Sequence, residues 1–141
     1  MKIGDDLIRG VFTRYKTIAV YGISRSPEKA AHHVPAFLLS KDYNIIPVNP
    51  NADEILGQKC YSNLMTVPER IDIVEVFRPS AETLDVVRES LLRKEERGDI
   101  EVIWLQEGIR NEEARKLAEE AGITFVQDRC MYKEYIRLFR E

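Results

Sequence analysis

Ile18-Ala19-Val20-Tyr21-Gly22-Ile23-Ser24-Arg25-Ser26 reads as a buried strand running straight into a glycine turn. A helical stretch follows, and a second strand then ends in Pro47-Val48-Asn49-Pro50. Strand, glycine turn, helix and strand make the βαβ unit whose first turn cradles phosphates. The fingerprint is altered, however. The turn has one glycine where the pattern G-x-G-x-x-G has three, and Asn49 stands where a carboxylate grips a ribose 2′-OH. The unit invites a nucleotide, and its details argue against NAD. Gly22 is expected to let a phosphate approach the backbone, with hydroxyls at Ser24 and Ser26 and cations at Arg25 and Lys29 just before a helix N-terminus. The bland alternative is an ordinary βα turn with solvated charges.

Working outward, apolar residues at helical spacing in Leu7, Ile8, Val11, Phe12 and Tyr15 predict an opening helix. The first two strands are Thr17 to Tyr21 and Asn44 to Val48, and Val34, Phe37 and Leu38 share the inner face of the helix between them. Asn51 to Pro68 mixes Gly57, Asn63 and Pro68 with little periodicity, so it reads as loop with a short strand near Gln58 to Tyr61 and no clear helix. A strand from Ile71 to Phe77 leads into a helix that starts after Ser80, its expected N-cap. That helix turns Leu84, Val87 and Leu91 inward and ends at Gly98. After a strand from Ile100 to Leu105, Asn111 caps a helix with Ala114, Leu117, Ala118 and Ala121 inward, and Gly122 stops it. Thr124 to Gln127 is the last strand, ahead of a short final helix. Such regular alternation predicts one α/β domain over residues 1–141, with a mostly parallel, doubly wound, Rossmann-like sheet flanked by helices.

With 141 residues and 44% apolar content, the chain has enough for a single core. Its net charge is −3 and no basic stripe stands out, so nucleic acid is not an expected partner. No run approaches the roughly 20 apolar residues that span a bilayer. The start, MKIGDDLIRG, has acids where a signal peptide needs an apolar run, so the expectation is a cytoplasmic protein without a membrane partner. Charged residues reach 32%, against about 25% in typical domains, while Asn and Gln are sparse. Heat-adapted proteins share that balance, so a thermostable fold is expected, to be checked by a melting scan. Cys60 and Cys130 have no C-x-x-C spacing, and the side chains of adjacent His32 and His33 diverge, so no metal site is expected.

In a doubly wound sheet, ligands bind beyond the carboxyl ends of the strands. That rule selects Gly22 to Lys29, Asn49 to Asn51, Phe77 to Ser80, and Gln106 to Asn111. In the third loop Phe77, Arg78 and Pro79 bring an aromatic face, a cation and a rigid turn together. The alternative is a core phenylalanine beside a surface ion pair. In the fourth, Gly108 frees the backbone and Gln106 both donates and accepts, while Trp104 reads as core. Cys130 follows Asp128 and Arg129 at a strand end, where Arg129 would lower the thiol pKa. No histidine lies nearby as a base, and a buried apolar cysteine is the commoner case. Asp128 and Glu107 read as structural.

The runs IAVYGISRSPEKAAHHVPAFLLSKDYNIIPVNPN, GQKCYSNLMTVPERIDIVEVFRP, WLQEGIRNEEA and VQDRCM cover about Thr17 to Met131. They resemble the small stand-alone coenzyme A-binding proteins, which are similar in fold to the N-terminal domain of the succinyl-CoA synthetase α chain. The resemblance implies that Gly22, Ile23, Ser24, Arg25, Ser26 and Lys29 hold the phosphates of coenzyme A. It implies that Asn49 and Pro50 lie against the nucleotide, and that Phe77, Arg78, Pro79, Gln106 and Gly108 line the pantetheine side. It further implies a non-catalytic module that stores, senses or presents CoA or an acyl-CoA. Related CoA ligases need a second domain bearing a phosphorylated histidine. This chain offers neither that length nor a histidine outside the first βα connection, so ligase activity on its own is not expected. Two rivals stand beside this reading. One is an enzyme using NAD(P) or Cys130, and the other is an interaction protein with a vestigial nucleotide site.

Overall fold

Periodicity opens the chain as expected. In the computed structural model, which describes residues 3–139, helix α1 (Asp5–Arg14) has Asp5 and Asp6 in its first turn and Arg14 in its last, matching its dipole. It buries Ile8, Val11 and Phe12. Leu7 turns outward instead, 44% exposed. Strand β1 (Thr17–Tyr21), helix α2 (Ala30–Ser40) and strand β2 (Asn44–Val48) then form the expected parallel unit, with Thr17 opposite Asn44 and Tyr21 opposite Val48.

Residues 51–68 hold more structure than their lack of periodicity predicts. Strands β3 (Glu54–Ile55) and β4 (Gln58–Lys59) pair as a hairpin turned by Leu56 and Gly57, with φ of 57° and 71°. Two positive φ values in a two-residue loop suit the native strand twist. Tyr61 adds a single parallel bridge to Val48, and a 3₁₀ turn at Leu64–Thr66 is capped by the Asn63 side chain, which accepts from the Thr66 N–H. Elements of two or three residues are too short for a periodic signal.

The later strands, β5 (Ile73–Val76), β6 (Val102–Leu105) and β7 (Thr124–Val126), are shorter than their apolar runs. Ile71 and Ile100 are fully buried outside the ladder, and Ile100, at φ 66°, is held in the left-handed region that takes a β-branched residue off a strand. Helix α3 (Thr83–Arg97) starts later than predicted. Ser80 opens a 3₁₀ turn (Ser80–Glu82) rather than capping α3; its carbonyl accepts from the Thr83 hydroxyl and its own Oγ accepts from the Arg110 N–H. The buried face of α3 is Thr83, Val86, Val87, Ser90 and Arg93, with Leu84 and Leu91 only half-buried. Gly98 ends it at φ 74°. Asn111 caps helix α4 (Glu112–Glu120) as predicted, its side chain accepting from the Ala114 N–H at 2.9 Å. Ala121 is exposed, since it lies past the last helical turn. Helix α5 (Met131–Phe139) closes the described chain.

All five long strands are parallel, in the order β2-β1-β5-β6-β7. One face, with Ile18, Val20, Ile73 and Trp104, packs under α1, α2 and α5. The other, with Ala19, Ile46, Val74 and Ile103, packs under α3 and α4. Among the described residues three charged side chains lie inside: Arg93, Asp99 and Glu75. Arg93 is 1% exposed and donates to Asp99 and to the carbonyls of Leu64, Val67 and Glu69, a pairing that offsets its desolvation. Glu75, in mid-β5, has no partner for either carboxylate oxygen among the described residues, and burial pushes its carboxyl up to about 8.

Candidate functional site

Strand order reverses between β1 and β5, because the chain runs from β1 out to β2 and returns to β5 on the other side. The carboxyl ends of β1 and β5 therefore frame the ligand crevice of this fold. A cleft of about 480 Å³ opens there, a volume in the usual range for ligand sites of roughly 300–1,000 Å³. It is lined by Tyr21 and the loop Gly22–Ser26, by Val48–Asn51 at the end of β2, and by Ser62, Arg78 and Glu82. A smaller hollow of about 280 Å³ runs along the outer face of α5 and is formed by one helix only.

The first loop is fixed by its own backbone. Gly22, at φ 88°, donates to the Val48 carbonyl at 3.1 Å. A Cβ on Gly22 would meet Arg78 Cδ at 2.8 Å and the Phe77 carbonyl oxygen at 2.9 Å. Gly22 is thus required by the neighbouring strand end as well as lining the cleft. Ser24 is held from both sides: its N–H donates to the Ala31 carbonyl at 3.0 Å, and its own carbonyl accepts from His32 Nδ1 at 2.7 Å. The Ala31 carbonyl is available because Pro35, four residues on, has no N–H to offer it. Ser24 Oγ accepts from the Ser26 N–H. The N–H groups of Ile23 and Arg25 have no acceptor among the described residues. Arg25 is exposed and makes no ion pair among the described residues.

Asn49 lines the cleft at the end of β2. Its Nδ2 donates to the Ile23 carbonyl at 2.8 Å and its Oδ1 accepts from the Asn51 N–H at 2.8 Å. The first bond staples the first loop to the second and the other turns the backbone within the second loop, so Asn49 shapes the cleft it lines. Arg78 is engaged as well, donating through Nε at 3.0 Å and Nη2 at 2.8 Å to Glu82 Oε1. Tyr21, whose hydroxyl donates to Glu89, is pushed up to about 12 by burial and by that carboxylate.

The cleft gathers Gly22, Ile23, Ser24, Arg25, Ser26, Asn49, Pro50 and Arg78 from the sequence reading, but not Lys29, Phe77, Pro79, Gln106 or Gly108. Lys29 is exposed at the start of α2. Phe77 packs half-buried against the α1, α2 and α5 face. Pro79 precedes the 3₁₀ turn at the end of β5. Gln106 is 5% exposed, and its Oε1 has no partner among the described residues. Gly108, at φ 87°, donates to Asp128 Oδ1 at 2.7 Å. These five lie around the cleft rather than in it. Asn51 lies in a loop the strand-end rule selected, whereas Tyr21, Val48, Ser62 and Glu82 were missed by the motif reading. Ser62 had no sequence signal, since only the Val48–Tyr61 bridge brings it to the strand ends.

Cys130 is 7% exposed and precedes α5. Arg129 does not attend it: that guanidinium pairs with Glu134 and donates to the Ile3 carbonyl. Burial pushes the Cys60 thiol up. Among the described residues no cluster of His, Cys, Asp and Glu suits a metal ion, and no helix is long and apolar enough to cross a membrane.

Comparison with known proteins places this geometry in a family. An uncharacterized protein of Bacillus subtilis, YneT, is 42% identical over 124 residues, 88% of each chain. A solved structure of a hypothetical protein from Pyrococcus horikoshii superimposes with a TM-score of 0.89 at 38% identity, covering 96% of this chain and 92% of that one. The ADP-forming acetate–CoA ligase of Methanocaldococcus jannaschii is 34% identical over 76 residues, which are 52% of this chain and 10% of the ligase. A family model described as a CoA binding domain matches residues 16–136. The parallel sheet, the cleft at its switch point and these likenesses agree, and the chain belongs to the CoA-binding domain family.

Proposed function

We propose that the cleft between the ends of β1 and β5 binds coenzyme A or an acyl-CoA, and that the protein's role is binding rather than turnover. The observation that carries this is the first loop. It offers the N–H groups of Ile23 and Arg25, the hydroxyls of Ser24 and Ser26 and an unpaired Arg25 side chain to one face of the cleft. Backbone donors with a cation beside them are the chemistry that holds phosphate. The residues thus fit a nucleotide's phosphates. Phe77, Pro79, Gln106 and Gly108, along the ends of β5 and β6, are where a pantetheine arm would continue. When bound, CoA supplies a thiol for acyl attachment; this chain's residues only hold and orient it. A thiol enzyme is disfavoured by the burial of Cys130 and by the pairing of Arg129 with Glu134.

The test is thermal unfolding with added CoA, NAD or NADP. A ligand at 100 times its Kd stabilises the fold by about 2.7 kcal/mol, so CoA is expected to raise the melting temperature by several degrees. NAD and NADP are expected to leave it unchanged. A shift with NAD equal to that with CoA would count against the reading.

A further inference from the structure

Glu89, on α3, ties the floor of the cleft to one of its walls. Its Oε1 accepts from the Tyr21 hydroxyl at 2.9 Å and its Oε2 accepts from the Leu64 N–H at 2.6 Å. Tyr21 lines the cleft at the end of β1. Leu64 opens the 3₁₀ turn two residues beyond Ser62, another cleft residue. Successive turns of the same helix continue the pattern. Arg93 donates to the carbonyls of Leu64 and Val67, and Arg97 donates to those of Val67 and Met65. Residues four and eight positions apart share one helix face, so α3 presents a stripe whose acid takes an N–H and whose bases take carbonyls. The stripe holds this segment along its length, and only its Glu89 end reaches a cleft residue.

We propose that Glu89 is a positioning residue for the cleft: it fixes Tyr21 and Ser62 at the spacing the ligand needs, while Arg93 and Arg97 secure the fold of the segment. This role rests on the cleft being the CoA site. Glu89→Gln keeps the volume of the side chain but turns one acceptor into an NH₂ donor. The Tyr21 hydroxyl can turn to accept from that NH₂ while the Leu64 N–H keeps the remaining oxygen, so the change strips the carboxylate's charge from both bonds and weakens them together. Tyr21→Phe removes the hydroxyl at the other end of the same link.

The experiment compares wild type, Glu89→Gln, Tyr21→Phe and the double variant by calorimetric titration with CoA, by melting and by ultraviolet titration of the phenols. Glu89→Gln is expected to weaken CoA binding roughly tenfold, a loss of about 1.4 kcal/mol, with melting shifted by only a few degrees. The double variant is expected to lose less than the two single losses added together, since both changes act on one link. Tyr21 should titrate at lower pH in Glu89→Gln, while Tyr43, pushed up to about 12 by burial elsewhere, serves as an unmoved control. Affinity unchanged in Glu89→Gln, or additive losses in the double variant, would overturn the positioning role while leaving the CoA site intact. Failure of the wild type to bind CoA would overturn the site itself, and with it this role.

Discussion

Gly22 carries two demands at once, a φ of 88° and a neighbour's backbone within 2.9 Å of where a Cβ would stand. Gly22→Ala is therefore expected to cost on the order of 1–3 kcal/mol, seen as a lower midpoint in urea, and Gly22→Val is expected to cost more. Retention of full stability in Gly22→Ala would contradict this packing. The glycine was legible as a turn signal, but its reason was not, because Phe77 is distant in sequence and adjacent only in the sheet. Asn49 was equally visible as a missing acid, yet its bond to Ile23 depends on how two loops meet. Glu75 supplies a pH test. Its carboxyl, buried without a partner, is held up to about 8 against 4.5 ordinarily. The folded state therefore keeps a proton that the unfolded chain releases, so stability is fullest below 4.5 and falls as pH rises toward 8. The slope from this group is at most about 1.4 kcal/mol per pH unit. Asp128 works in the opposite sense and in another window: the Gly108 N–H and the Arg110 guanidinium hold its carboxyl low, so its contribution is lost only as pH falls through the acid range. Denaturant melts at pH 5.5 and 8 should show a decline in wild type that Glu75→Gln flattens. An equal decline in the variant would mean that Glu75 is not the source.

Helix α2 shows how an element serves a loop. Pro35 sits inside it, and the Ala31 carbonyl it leaves free takes the Ser24 N–H. Pro35→Ala restores an N–H that competes for that carbonyl while improving helix propensity. The expected outcome is an unchanged or higher melting temperature with CoA affinity lowered roughly fivefold, the worth of about 1 kcal/mol in one hydrogen bond. Affinity at the wild-type level would show that Ser24 needs no such anchor. At this scale the long elements were readable from apolar spacing and from the signals of Asn111, Gly98 and Gly122. The hairpin at Glu54–Lys59 was not, since its strands are two residues each. Nor was the true inner face of α3. Arg93 is buried there because Asp99 and the carbonyls of residues 64–69 bond to it, and Ser90 because its hydroxyl donates to the Val86 carbonyl; no hydrophobic pattern marks a polar residue for the interior.

For the whole molecule, alternating strands and helices were enough to foresee a parallel sheet, and the sheet's order placed the crevice at the ends of β1 and β5. What the sequence left open was which loops share the cleft. Gln106 and Gly108 lie at the end of β6, one strand beyond it, and Ser62 reaches it through the Tyr61 bridge. Within the cleft Arg78 is already matched by Glu82, whereas Arg25 has no ion-pair partner among the described residues. On the proposed CoA reading, Arg25 is the cleft cation left free to meet the 3′-phosphate that distinguishes CoA from dephospho-CoA. A charge-assisted hydrogen bond contributes about 1.5–3 kcal/mol. The most direct measurement is a calorimetric titration of wild type and Arg25→Ala with CoA and dephospho-CoA. CoA is expected to bind wild type at least roughly tenfold more tightly than dephospho-CoA, with the gap narrowing in Arg25→Ala. Indistinguishable affinities for the two ligands in wild type, or no binding of CoA, would contradict a cleft built around the phosphates of coenzyme A.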